Sequence, residues 1–424
     1  MKARVKYQKV IIAAVSVLAV AGSTALVTPA QAATTKLTIW SFGNVIDTTL
    51  QAEYAKLHPE IEIVIKKGDL DQHHSGLKNA LYSNVQPDIA AVELSYMGEF
   101  RNYSKYLTDL NSLSPSANTI KDDFLPWRWD QMKAPDGAQL GIPTDVGGLA
   151  VAYRVDLFKK AGLPTDRDKV SALWPTWEKF IEVGTQYKAK TKSNFVDTTG
   201  AIFGAVLNQG TEKYVSADGR PIYNTNPTVQ RAFTTTANAS NAKIGSLIPQ
   251  YTPDWGVGMN KGTFATILAP AWMLTYIKQY APKTKGLWDV AAVPGKGGNM
   301  GGSALTIPKK ALHVKEAWDF IQWYLAPEQQ TKLFLDPKNG AFPTTISAYT
   351  NPKVLGYKDP FFNNAPIGAI YSQSATSLKP IALGNKDRTI DNTFGQALSR
   401  VMLGKQSSSA AWGQALSDIK RAVG

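Results

Sequence analysis

Residues 262–272, with the sequence GTFATILAPAW, constrain the fold more than any other stretch of the chain. Residues 264–268 are apolar and rich in β-formers, which is typical of a strand covered on both faces. Pro270 ends strand pairing and suits the first turn of a helix, and residues 272–278 continue at helical spacing. Trp272 therefore lies just past the carboxyl end of a strand, where open α/β sheets bind ligands. The same position also suits a core tryptophan that caps the sheet.

Strand-like and helix-like segments alternate in the first part of the chain. The pattern predicts strands at 36–40, 61–66 and 87–93, with helices at 47–57 and 77–83. Such alternation predicts βαβ units, so we expect an α/β fold whose mostly parallel sheets are flanked by helices.

The three predicted strands end in residues that could contact a ligand. These ends are Trp40, residues 66–71, and residues 93–96 with Glu93 at their start. A core tryptophan, a solvated turn and a surface acid are the alternative interpretations.

Glycine and proline mark two crossings between lobes, at residues 141–148 (GIPTDVGG) and 340–345 (GAFPTT). Asp145 on the first crossing is either a hinge cap or a ligand contact. Residues 295–303 (GKGGNMGGS) lack the GxxxxGK[ST] spacing and a complete GxGxxG, so we expect a turn beneath a ligand rather than a phosphate loop. Residues 193–223 are polar and irregular, which favours a surface insertion.

The first 32 residues have the pattern of a signal peptide. Four basic residues precede an apolar run at 10–21, and an A-x-A sequence ends at Ala32. The run is too short to span a bilayer. We therefore expect the mature protein to begin near Ala33 and to lie outside the cytoplasm.

Composition excludes several classes of protein. The chain has no cysteine, which excludes disulfides, thiol nucleophiles, cysteine-ligated zinc and an N-terminal lipid-modified cysteine.

The net charge of the chain is +13, of which +4 lies in the leader. A basic secreted protein could adhere to anionic cell-wall polymers. No block of five Lys or Arg occurs, so we expect no nucleic acid partner. The 11 Trp and 17 Tyr offer flat faces that suit sugar rings.

Catalytic and metal motifs are missing from the sequence. The four histidines have no metal-ligand spacing, and His73 with His74 is interpreted as solvated loop. No GxSxG motif is present. Glu93 and Asp145 could nominally serve a glycosidase, which needs two carboxylates flanking the bond, but acids in a cleft are also ordinary sugar ligands.

Several motifs in the observed order resemble the extracellular solute-binding proteins of bacterial ABC sugar importers. They include LTIW, PDIAAVE, GIPTDVGGLAVAYRVDLFKKAGLP, MNKGTFATILAPAW, WDVAAVP followed by MGGSALTIPK, AWDFIQWYLAPEQQ, and GAFPTT. The resemblance covers nearly the whole mature chain. It implies a two-lobe, type II periplasmic-binding-protein fold, with residues 33–144 and 289–342 in lobe I and residues 145–288 and 343–424 in lobe II.

The resemblance also implies a sugar site in the cleft between the lobes. Trp272 takes the position of the family's stacking tryptophan. The other implied contacts are Trp40, Glu93, Asp145, Gly301 and Gly302, with looser matches at Tyr96, Trp255 and Phe394.

The expected function is capture of a carbohydrate, an oligosaccharide, and its delivery to an ABC permease, without catalysis, cofactor or metal. Many Gram-positive members carry a lipid-anchored cysteine that this sequence lacks, so we expect either a source with a periplasm or a protein that charge or the transporter retains at the cell surface. A secreted glycosidase and a basic surface adhesin remain the alternatives. Turnover of the sugar would indicate the glycosidase. Attachment to cells that is sensitive to salt and independent of sugar would indicate the adhesin.

Overall fold

The computed structural model describes residues 34–378 and 380–423, and within that range nine strands form two separate sheets. The expected signal peptide, residues 1–32, lies outside the described residues. The strands are β1 (Thr35–Phe42), β2 (Ile61–Gly68), β3 (Ile89–Glu93), β4 (Ile142–Pro143), β5 (Leu149–Arg154), β6 (Asn194–Val196), β7 (Phe264–Pro270), β8 (Trp288–Ala291) and β9 (Ser303–Thr306). The first sheet has the order β2-β1-β3-β9-β4, and the second has the order β6-β7-β5-β8.

Helices cover both sheets. In chain order they are α1 (Thr48–Leu57), α2 (Leu70–Leu81), α3 (Leu94–Phe100), α4 (Pro126–Asp130), α5 (Val155–Ala161), α6 (Arg167–Leu173), α7 (Trp177–Thr191), α8 (Gly200–Leu207), α9 (Pro227–Asn241), α10 (Pro253–Lys261), α11 (Ala271–Tyr280), α12 (Val314–Tyr324), α13 (Pro327–Leu335), α14 (Pro352–Leu355), α15 (Ile367–Thr376), α16 (Asp387–Met402) and α17 (Ser408–Val423). Short 3₁₀ helices lie at Leu110–Ser112, Ala117–Thr119, Lys121–Asp123, Pro282–Thr284, Ile346–Tyr349 and Pro360–Phe362. No helix in the described ranges has the length and hydrophobicity that a membrane crossing requires.

Strand pairing is mixed, which differs from the mostly parallel sheets that the sequence predicted. β1 is parallel to β2 and β3, and β6 is parallel to β7. β9 is antiparallel to β3 and β4, and β5 is antiparallel to β7 and β8. The antiparallel pairs involve strands that the chain enters after crossing from the other sheet. Such a strand needs no crossover helix within its own sheet, so the parallel rule does not apply to it. The two-lobe α/β fold itself is confirmed.

Each sheet is buried on both faces by alternating side chains. In β3, Ile89 and Ala91 belong to one apolar cluster, and Ala90 and Val92 belong to the cluster on the opposite face. Every residue of β7 is buried, as the sequence predicted for a strand covered on both faces. Helices on both sides of each sheet account for this burial.

The chain crosses between the sheets three times, and the crossing segments lie side by side. The Val146 amide donates to the Phe342 carbonyl (2.8 Å), and the Met300 amide donates to the Gly147 carbonyl (2.7 Å). The second crossing corrects the expected boundary between residues 288 and 289. β8 pairs with β5, with Ala152 opposite Val290, so it completes the second sheet and the chain crosses after Ala291.

Two local expectations were wrong. Residues 193–223 are not simply a surface insertion, because they contain β6 and α8, and α8 buries Ile202, Phe203 and Val206. His73 and His74 do not lie in a solvated loop. Both are buried within α2, and burial lowers the pKa of His74 to about 3.

Candidate ligand-binding cavity

A cavity of about 1090 Å³ lies between the two lobes. The first lobe contributes residues 42–45, 68–71 and 93–95, which start at the last residues of β1, β2 and β3. The second lobe contributes Trp272, which follows β7, and residues of α8 and α16. The strand carboxyl ends of both sheets therefore meet at one site, as expected for open α/β sheets.

Trp272 presents its indole to this cavity in a fixed orientation. Pro270 precedes α11 in extended conformation and places Trp272 in the first turn of the helix. The half-buried indole donates from Nε1 to the Met300 carbonyl (3.0 Å), and Tyr276 packs edge-on against it with ring centroids 5.9 Å apart. One edge of the ring is thus bound to the crossing loop, and the ring lines the cavity.

Gly301 and Gly302 bring backbone close to the same wall. Their φ angles are +82° and +105°, a region that favours glycine. A Cβ on Gly301 would lie 3.1 Å from the Trp272 Nε1, and one on Gly302 would lie 2.9 Å from the Asp145 carbonyl oxygen. The predicted turn is therefore present on the cavity wall, and a side chain at Gly302 would have to displace backbone.

Asp145 lines the cavity and also binds the crossing segments together. Its Oδ1 accepts from the Thr144 hydroxyl (2.6 Å) and from the Ser303 amide (3.0 Å). Asp145 therefore holds the hinge segments together, as one of the two interpretations expected, and the other interpretation, a ligand contact, stays a prediction.

Glu93 lies at the end of β3 and caps α3. Its carboxylate accepts from the Ser95 amide (2.8 Å) and the Ser95 hydroxyl. Burial raises the pKa of Glu93, although the Ser95 hydrogen bonds act in the opposite direction. The Glu93 amide donates to Nε2 of His74 (3.0 Å), whose Nδ1 donates to the Leu70 carbonyl (2.7 Å). The neutral His74 therefore fixes the backbone from which Glu93 projects.

Arg128 lies buried next to these acids, and the sequence analysis missed it. Its guanidinium donates to the Asp145 carbonyl (3.1 Å), the Ser303 carbonyl (2.8 Å) and the Gln131 side chain. Burial lowers its pKa to about 10, and the nearby charges of Asp145 and Glu93 oppose that shift. Arg128 is thus positively charged at neutral pH, and it offsets the negative charges of Asp145 and Glu93.

Four residues named by resemblance do not line the cavity, which corrects their expected placement. Trp40 is half-buried in β1, and the Lys66 ammonium lies 4.4 Å from its ring centroid. Trp255 is fully buried and donates to Asp197 (3.1 Å), and Phe394 is fully buried against Trp412. Tyr96 stacks on His74 with centroids 3.8 Å apart and donates to Asp71. Glu93, Asp145, Trp272, Gly301 and Gly302 do line it.

The two lobes also contact each other beside the cavity. Arg388 of α16 donates two hydrogen bonds to Asp71 of α2, at 2.6 and 3.0 Å. Its guanidinium lies 5.5 Å from the Tyr96 ring. Leu383, just before α16, packs against the core of the first lobe. These contacts close one side of the cleft.

The sequence analysis missed the whole wall formed by α16. Its cavity-lining polar residues recur at helical spacing, at Arg388, Asp391, Asn392, Gln396 and Ser399. That spacing was a readable signal of one polar helix face, although it does not tell a cavity from bulk solvent. Among the described residues, no group of three His, Cys, Asp or Glu could hold a metal ion.

Two α/β lobes that enclose a cavity at their strand ends are the architecture of solute-binding proteins. The family model for bacterial extracellular solute-binding proteins matches residues 45–331, and the chain belongs to that family.

Named relatives and solved structures agree with this assignment. An arabinooligosaccharide-binding protein of Bacillus subtilis strain 168 is 27% identical over 335 residues, 74% of this chain and 75% of that protein. A lactose-binding protein of Rhizobium radiobacter is 24% identical over 376 residues, 83% of this chain and 85% of its own length. A crystal structure described as extracellular solute-binding protein family 1 has a TM-score of 0.80 and 35% identity, covering 92% of this chain and 100% of that one. An ABC-transporter-associated binding protein of B. animalis subsp. lactis Bl-04, in complex with β-1,6-galactobiose, has a TM-score of 0.77 and 21% identity, covering 92% and 98%.

Proposed function

We propose that this protein binds an oligosaccharide in the cavity between its lobes and delivers it unchanged to the permease of an ABC importer. The observation that carries this proposal is the Trp272 ring, fixed on the cavity wall and accompanied by the carboxylates of Glu93 and Asp145. An aromatic face covers the C–H surface of a sugar ring, and carboxylates accept its hydroxyl hydrogen bonds.

The size of the cavity supports an oligosaccharide rather than a monosaccharide. Its volume of about 1090 Å³ is slightly above the range for small-molecule sites, roughly 300–1,000 Å³. Tyr251 and Tyr276 add aromatic surface beyond Trp272. The relatives named as arabinooligosaccharide-binding and lactose-binding proteins support the same ligand class.

The arrangement of the two acids supports binding without catalysis. Asp145 is held by Thr144 and Ser303, and Glu93 is held by Ser95. Each carboxylate is thus held to the frame of the site through one oxygen and keeps the other oxygen for a sugar hydroxyl, whereas a glycosidase would need a pair placed on either side of the bond.

We further propose that the protein acts outside the cytoplasm without a lipid anchor. Its net charge of +13, with +4 in the leader, favours contact with anionic wall polymers. Closure of the lobes around the ligand would present the surface that the permease recognises.

Calorimetric titration of residues 33–424 against monosaccharides and oligosaccharides tests the proposal. We expect one-to-one binding of at least one oligosaccharide, recovered unaltered by chromatography. Cleavage of the sugar would indicate the glycosidase instead. Failure of every sugar to bind would contradict the carbohydrate assignment, and salt-sensitive attachment to cells without sugar would indicate the adhesin.

A further inference from the structure

Lys213 is a buried cation on the wall of the cavity. Its side chain is only 5% exposed, and it lines the end of the cavity that α16 encloses. The ammonium group has three hydrogen-bond donors. Within residues 34–378 and 380–423 it donates to no protein oxygen and forms no ion pair.

The backbone at Lys213 is held firmly. The Asn226 side chain donates to the Lys213 carbonyl (2.8 Å) and to the Glu212 carbonyl (3.0 Å). The next residue, Tyr214, is fully buried, and its hydroxyl donates to Asp391 of α16. The backbone from which the lysine side chain projects is therefore fixed before any ligand binds.

The other charged side chains of the cavity wall already have partners in the protein. Arg388 is paired with Asp71. The carboxylates accept hydrogen bonds from neighbouring groups: Asp69 from Gln72 and Asp71 amides, Asp71 from Arg388, Glu93 from Ser95, Asp145 from Ser303 and Asp391 from Tyr214. Because a ligand that fills the cavity removes solvent from the Lys213 ammonium, the ligand itself has to supply the hydrogen-bond acceptors for it.

The charge of the whole wall restricts what those acceptors can be. Five carboxylates, Asp69, Asp71, Glu93, Asp145 and Asp391, line the cavity with two cations, Lys213 and Arg388. An anionic ligand would meet repulsion from most of these groups, whereas hydroxyl and ring oxygens of an uncharged sugar would not.

We propose that Lys213 is a binding and specificity-determining residue, which donates hydrogen bonds to the oxygens of an uncharged saccharide at the α16 end of the cavity. This inference rests on the proposed function and deepens it, because it names the ligand class and the group that recognises it. The uronate forms of the same saccharide bind more weakly.

Calorimetry with Lys213→Met tests the role of the ammonium, using a sugar that the wild type binds. Because hydrogen bonds to charged groups are strong, we expect affinity to fall by about tenfold to hundredfold. Lys315→Met is the matched control, because that side chain is 80% exposed, and it should bind like the wild type. Thermal melting of both variants should show a folded protein, and Lys213→Arg should keep part of the affinity.

Monodeoxy forms of the same sugar identify the acceptor. The deoxy sugar that lacks the acceptor should bind the wild type more weakly than the parent sugar does. Lys213→Met should bind this deoxy sugar as well as the wild type does, since both changes remove the same hydrogen bond. Equal affinity of Lys213→Met and wild type would overturn the role of Lys213 and leave the proposed function intact. No sugar binding by the wild type would overturn both. Tighter binding of a uronate, lost in Lys213→Met, would overturn the uncharged class.

Discussion

Asp387 is a buried carboxyl whose two oxygens have no hydrogen-bond partner among the described residues. Its side chain is 2% exposed. Burial raises its pKa to about 7 from the ordinary 3.8, and the nearby charges of Lys213 and Asp391 act in opposite directions. Between these two values the folded protein holds a proton that the unfolded chain has released.

This difference predicts a pH dependence of stability. The free energy of unfolding should fall as pH rises from about 4 to about 7, and Asp387→Asn should remove that fall. Since one pKa unit corresponds to about 1.4 kcal/mol, the advantage of the variant should grow by a few kcal/mol from pH 4 to pH 8. Urea denaturation at both pH values measures it, with the surface variant Asp319→Asn as control. A constant difference between Asp387→Asn and wild type would contradict this account of the buried carboxyl.

Residues at strand ends were predictable, and residues whose environment is tertiary were not. Glu93, Asp145 and Trp272 follow or border strands, and the strand pattern places them at the cavity. No strand end in the sequence pattern marks Arg128 or Lys213. Their roles depend on burial and on partners distant in sequence, such as Ser303 for Arg128.

At the scale of elements, α3 and the segment before α16 approach so closely that only glycine fits. A Cβ on Gly98 of α3 would overlap the carbonyl oxygen of Gly384. The overlap is with backbone, so a rotamer change cannot relieve it. This contact and the Asp71–Arg388 pair join the lobes on the same side of the cavity.

Gly98→Ala should therefore favour a more open arrangement of the lobes. We expect weaker sugar binding and a larger radius of gyration, measured by calorimetry and by small-angle X-ray scattering with saturating sugar. Gly76→Ala is the matched control, because Gly76 also lies in a helix, α2, and a Cβ there meets no atom within 4 Å. Unchanged affinity and radius in Gly98→Ala would show that this contact does not govern closure.

Elements with a strong local pattern were predicted well, and those defined by their neighbours were not. The β7–α11 unit follows from its apolar run and Pro270. β8 was assigned to the wrong lobe because a strand sequence does not say which sheet it joins. α8 was missed because eight residues, nearly all apolar, show no helical periodicity.

At the scale of the whole molecule, the resemblance to the family predicts the fold but only part of the site. The order of motifs identifies the family, and the family model spans residues 45–331. The α16 wall lies beyond that range, and it supplies Arg388, Asn392 and Gln396 to the cavity. Contacts between lobes depend on how two sheets are placed in space, which no local pattern encodes.

The central claim is that sugar binds in the cavity against Trp272, and a pair of tryptophan variants tests it most directly. Calorimetric titration of Trp272→Ala and Trp40→Ala should be compared with wild type for the same sugar. Loss of a buried aromatic surface predicts at least a roughly tenfold lower affinity for Trp272→Ala. Trp40→Ala should stay within about twofold of wild type, because Trp40 lies off the cavity against Lys66. Wild-type affinity in Trp272→Ala, or an equal loss in both variants, would contradict the account.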